Sequence, residues 1–88
     1  MDVTEAKIIV RNDGKLRAYA SITIDECFVV RDLKVIEGPN GLFVSMPAKK
    51  LIDGSFRDIT FPLNNETREK IEKAVLGEYN KTVKIEEN

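Results

Sequence analysis

From Leu16 to Ile24 the chain reads Leu-Arg-Ala-Tyr-Ala-Ser-Ile-Thr-Ile, aliphatic at every even position and polar or amphipathic at every odd one. A period of two sends alternate side chains to opposite faces of a strand, so this segment predicts a strand buried on one face. Just upstream, Ala6, Ile8 and Val10 alternate with Lys7, Ile9 and Arg11. Between the two runs lies Asn12-Asp13-Gly14-Lys15. Its Asp-Gly pair tolerates the positive φ of a hairpin turn, and the two strands are expected to pair antiparallel. After Asp25-Glu26 comes Cys27-Phe28-Val29-Val30-Arg31-Asp32-Leu33-Lys34-Val35-Ile36, rich in β-branched residues. It predicts a third, bent strand in which Arg31-Asp32 breaks the alternation and marks a bulge.

Gly38-Pro39-Asn40-Gly41 concentrates turn residues, and Leu42 to Met46 forms a short apolar run halted by Pro47, which reads as a brief fourth strand. Ala48 to Ser55 reads as a loop that carries Lys49 and Lys50 side by side and contains a second Asp-Gly turn. Phe56 to Phe61, stopped by Pro62, predicts a fifth short strand. The period then lengthens to about 3.6, with Ile71, Ala74, Val75 and Tyr79 on one face and Asn64 or Asn65 placed as the cap. One helix of about four turns is expected there. The tail 81–88 alternates weakly and ends in charge; it receives no element, fraying or adding an edge strand only in an assembly. Strands in hairpin order followed by a lone helix imply an α+β fold, a small antiparallel sheet of about five strands with the C-terminal helix packed on it. Residues 1–88 form a single domain on this reading.

A chain of 88 residues buries only a modest fraction of its surface, and a single small sheet leaves two edges to protect. Both point to a homodimer. Fourteen Lys and Arg against 15 Asp and Glu give a net charge of −1, which excludes a globally basic nucleic-acid coat and confines any anion-binding surface to a local patch. The chain has no histidine, so Ser-His and Cys-His catalysis and imidazole metal sites are absent. The single Cys27 makes neither an intrachain disulfide nor a multi-cysteine zinc site, and is read as a small core residue. No apolar run reaches the length of a signal-peptide core or a membrane span, so the expected setting is the cytoplasm, away from membranes. Asp53, Asp58 and Glu37 lie in no apolar context that would shift a pKa. The expectation is therefore no enzyme, no catalytic residue, no cofactor or metal and no small-molecule substrate.

Two cationic groups remain. Lys49 and Lys50, with Arg57 shortly after a tight turn, read either as a phosphate clamp or as solvated charges that keep an edge from aggregating. On the helix, Arg68, Lys70 and Lys73 could offer cations to a groove. Yet Glu66 precedes Lys70 by four residues and Glu69 precedes Lys73 by four, the order that supports a helix by side-chain pairs. Arg68 lies in the first turn, where the helix dipole disfavours a cation, and is the charge least explained by structure. Phe28, Phe43, Phe56 and Phe61 are scattered singly and read as core. Tyr19 sits on the polar phase of the second strand, placed either to stack on a ligand or to pack across a dimer seam.

The run Asn40-Gly41-Leu42-Phe43-Val44-Ser45-Met46-Pro47-Ala48-Lys49-Lys50, followed by Asp53-Gly54-Ser55-Phe56-Arg57-Asp58-Ile59, resembles the SpoVG family of stage V sporulation or septation proteins. The likeness extends from Val3-Thr4 through Leu16 to Asp25, Phe28-Val29-Val30 and the helix stretch Thr67-Arg68-Glu69-Lys70-Ile71. It implies a small α+β cytoplasmic protein, dimeric through its sheet and not an enzyme, tied to septation, sporulation or cell-division control. It further implies a regulator whose partner is DNA, with RNA as a second ligand. By the family's pattern the contacts fall to Lys49, Lys50, Arg57 and Arg68, and sequence preference to the helix region that holds Lys70 and Lys73. The chain departs from that pattern at Ala48, where a hydroxyl residue is usual, and at Phe61, where histidine is common. The alternative is a septation adaptor that works through protein contacts alone.

Overall fold

The computed structural model describes the backbone of residues 1–87 and the side chains of residues 1–84. The element order is β1 (Val3–Asp13), β2 (Leu16–Ile24), β3 (Phe28–Gly38), β4 (Gly41–Ser45), β5 (Ala48–Lys50), β6 (Phe56–Asp58) and α1 (Asn65–Glu87). β1 to β4 form an antiparallel meander in chain order, and β5 pairs with β6 as a separate two-stranded ribbon. The α+β class holds, with three corrections. The strands divide between two sheets instead of filling one, and Ala48-Lys49-Lys50, expected in a loop, is a strand. The fifth strand in turn is shorter than the sequence implied, ending at Asp58.

Period two in β2 and period 3.6 in α1 meet in one core. Ala18, Ala20 and Ile22 from β2, Val30, Leu33 and Val35 from β3, and Val44 and Met46 close against Ile71, Val75 and Tyr79 of the helix. Ala18 is 0% and Ala20 4% exposed; these short side chains in the middle of the sheet let the helix lie close over β1, β2 and β4. The helix, 23 residues long, makes about six turns rather than four. It takes in most of the tail 81–88, for which the sequence pattern predicts no element; Asn88 lies outside the described residues.

The turns follow from local chemistry. Ser21 on β2 faces two residues of β3, because Ala20 pairs with Leu33 and Ile22 with Val30. The extra residue is absorbed by Asp32 at φ 66°, the bulge expected at Arg31-Asp32. Between β2 and β3, Asp25 (φ 49°) and Glu26 (φ 58°) make a two-residue turn closed by the Cys27 N–H donating to the Ile24 carbonyl at 3.0 Å. That is the primed turn whose twist suits a hairpin. The start of the chain clasps it. The Asp2 N–H donates to Asp25 Oδ1 at 2.8 Å and the Glu26 N–H to Thr4 Oγ1 at 3.0 Å. Asn64 caps the helix, its Oδ1 accepting from the Thr67 N–H at 2.8 Å.

Candidate nucleic-acid interface

Every residue from 48 to 61 is exposed, so the β5–β6 ribbon stands off the domain. Its ladder is short but bonded beyond the strands. The Leu51 N–H donates to the Ser55 carbonyl at 2.7 Å, and the Ile59 N–H to the Pro47 carbonyl at 2.7 Å. The tip is fixed by Asp53, whose Oδ1 accepts from the Ser55 hydroxyl at 2.6 Å and the Ser55 N–H at 2.9 Å. The Ser55 hydroxyl first, and its N–H second, hold the Asp53 carboxyl below its ordinary pKa.

Register decides which cations act together. Lys49 pairs with Arg57, Lys50 with Phe56 and Ala48 with Asp58. Direct cross-strand partners share a face and next neighbours point oppositely. Lys49 and Arg57 therefore share one face of the ribbon, while Lys50 lies on the other with Phe56, Ala48 and Asp58. The cluster of three cations read from the sequence is a pair and a single. Lys49 and Arg57 border a recess of about 400 Å³ together with Leu51, Asp58, Ile59 and Phe61. None of Lys49, Lys50 and Arg57 forms a salt bridge among the described residues.

The helix cations are placed separately. Lys70 and Lys73 are exposed and border a shallow recess with Asp2, Val3 and Ala74, where the helix passes the start of β1. Arg68 is half-buried in the first turn. Neither Glu66 with Lys70 nor Glu69 with Lys73 closes to salt-bridge distance. The reading of these lysines as paired helix supports is thus corrected, and they face solvent as unneutralised charges. The recess bordered by Lys70 and Lys73 and the one bordered by Lys49 and Arg57 share no residue.

Two other readings change, and two residues gain partners. Phe28, Phe43, Phe56 and Phe61 are 62%, 44%, 69% and 54% exposed, so none belongs to the core assigned to it. The core is instead filled by aliphatic residues and Tyr79. Cys27 is exposed at the β2–β3 turn. Glu37 is engaged with Arg17, whose pKa it raises by hydrogen bond and charge. Tyr19 is half-buried with the Arg11 guanidinium 5.5 Å from its ring centre, a cation–π contact that sequence spacing did not reveal. Among the described residues no helix is long and apolar enough to cross a membrane.

A profile of the SpoVG family matches residues 1–81. A protein of Bdellovibrio bacteriovorus is 58% identical over 84 residues, covering 96% of this chain and 78% of its own length. One of Anaeromyxobacter sp. (strain K) is 54% identical over 84 residues, 96% of this chain and 83% of its own length. One of Clostridium kluyveri is 53% identical over 88 residues, 99% of this chain and 91% of its own length. Each bears the name "Putative septation protein SpoVG".

Proposed function

The chain belongs to the SpoVG family, and from that membership we propose that it is a bacterial regulator of septation or sporulation that binds DNA, and also RNA, as a homodimer. The septation role is supported by the names its relatives carry. The family is not one of known enzymes, and no reaction is assigned. The observation that carries nucleic-acid binding is the ribbon. Lys49 and Arg57 project from one face of an exposed hairpin without an acidic partner. Such cations displace counterions from phosphates, and arginine adds a bidentate fork.

The homodimer rests on the same hairpin. Ile52, Phe56, Ile59, Phe61 and Leu63 are 109%, 69%, 65%, 54% and 89% exposed, and a two-stranded ribbon alone is marginal in water. A second copy covering Ile52, Phe56 and Leu63, which lie outside the recess bordered by Lys49 and Arg57, would hold two ribbons firm and double the cationic pair. Filter binding of duplex DNA at several salt concentrations tests the reading. Affinity that falls steeply with salt, and is lost when Lys49, Lys50 and Arg57 are all made alanine, is the expected result; salt-independent binding, or an unaltered variant, refutes it.

The same exposed apolar side chains favour a second reading, a septation adaptor whose partner is a protein. Capture from lysate with and without nuclease separates the two. An adaptor keeps its partners after nuclease treatment, whereas a nucleic-acid-binding regulator loses those held through DNA or RNA.

A further inference from the structure

The helix covers one face of the main sheet, and among the described residues no element packs on the other. Register sets Ile9, Tyr19, Lys34 and Ser45 in one row across all four strands of that open face. Lys7 and Ser21 form the next row, and Arg31 of the bulge borders the same recess of about 660 Å³ as Lys7, Ile9 and Tyr19. The lining of this recess continues around edge strand β1 to Glu78 and Thr82. Arg11 lies 5.5 Å from the centre of the Tyr19 ring. The cations Lys7, Arg11, Arg31 and Lys34 thus surround one aromatic ring. Among the described residues only Lys7 of these closes a salt bridge, with Glu5 at 3.9 Å; Asp32 and Glu78 also line the recess.

We propose that this open face, centred on Tyr19, binds single-stranded nucleic acid at a site separate from the ribbon. A base offers the tyrosine ring a π face to stack on, and the surrounding cations sit where the phosphates on either side of that base would pass. Duplex bases are stacked on one another and cannot reach a ring on a flat sheet, so the face selects single strands. A protein seam would deplete charge at its centre; here Arg11 and Lys34 flank the ring itself, and Lys7 and Arg31 share the recess with Glu5, Asp32 and Glu78. The inference goes beyond the ribbon reading and rests on different residues, so each stands or falls alone.

The test is fluorescence anisotropy with a labelled oligouridylate of roughly 12 nucleotides, run beside a duplex DNA. Tyr19→Ala is expected to weaken oligouridylate binding at least about fivefold and Tyr19→Phe to leave it within about twofold, because the ring and not the hydroxyl stacks. Arg11→Ala with Lys34→Ala is expected to flatten the slope of log affinity against log salt by about 1.4 for a single strand. This variant leaves the aromatic ring in place and keeps the proposal testable should Tyr19→Ala unfold. No wild-type binding, unchanged affinity in Tyr19→Ala, or equal losses in Tyr19→Ala and Tyr19→Phe would each overturn it. So would dissociation of a dimer by Tyr19→Ala in sedimentation, which would make the face a seam between copies. Loss of duplex binding through Lys49 and Arg57, with oligouridylate binding indifferent to Tyr19, sinks this inference and leaves the ribbon reading standing.

Discussion

The ribbon register makes a prediction that the bare sequence does not. Lys49→Ala combined with Arg57→Ala removes both cations of one face, whereas Lys50→Ala removes a cation from the opposite face, beside Asp58. Each cation apposed to a duplex phosphate contributes about 0.9 to the slope of log affinity against log salt. In a homodimer the double variant deletes four such cations, so its slope should be shallower than wild type by about 3.6. Between about 50 and about 200 mM salt, wild-type affinity would then fall about two decades further than that of the variant. Lys50→Ala should flatten the slope by far less, because a face that turns Lys49 and Arg57 toward DNA turns Lys50 away. Filter binding over a salt series measures all three, and sedimentation equilibrium confirms that each remains in the same oligomeric state. Equal slope changes for the single and the double variant would refute the argument from register. A double variant as steep as wild type would refute contact through this face.

Three further outcomes follow from the fold. Asn64→Ala removes the acceptor of the Thr67 N–H and should lower stability by about 1 kcal/mol in urea unfolding; an unchanged midpoint would show that the cap carries no weight. Leu33→Ala empties a fully buried position among Ala20, Ile22 and the helix. A loss of about 3 kcal/mol is expected, a large share of the stability of so small a domain. The Asp53 carboxyl, held below its usual pKa by Ser55, stabilises the fold fully above the ordinary carboxylate range. That contribution fades as pH falls through its lowered folded pKa. Carbon-detected NMR titration should place the Asp53 midpoint below that of an ordinary aspartate, and Ser55→Ala should return it upward; no movement in Ser55→Ala would discount the hydrogen bonds as the cause.

What the sequence discloses and what it hides divide along a physical line. β2 is legible because Ala18, Ala20 and Ile22 alternate with Arg17, Tyr19 and Ser21, and burial on one face enforces that alternation. The bulge is legible because Asp32 interrupts the same rule, and Asn64 because a cap must precede the first turn. The ribbon obeys no such rule. Its strands of three residues are exposed on both faces, so no burial pattern distinguishes Ala48-Lys49-Lys50 from a loop, and its pairing depends on backbone bonds that side chains do not announce. The phenylalanines mislead for a related reason. A large apolar residue is usually read as core, yet a helix resting on Ala18 and Ala20 leaves room for Val75 and Tyr79 rather than for four further rings. Those rings are displaced to the ends, the open face and the ribbon. Apolar side chains that a chain of this size cannot bury alone are better explained by something that comes to meet them. The two cationic surfaces beside them, Lys49 with Arg57 and the ring around Tyr19, differ in what they offer. The first projects charge from a narrow hairpin, suited to a phosphate backbone, and the second sets charge around an aromatic floor, suited to an unpaired base. A single protein could therefore hold duplex and single strand at once without either ligand competing for the residues of the other.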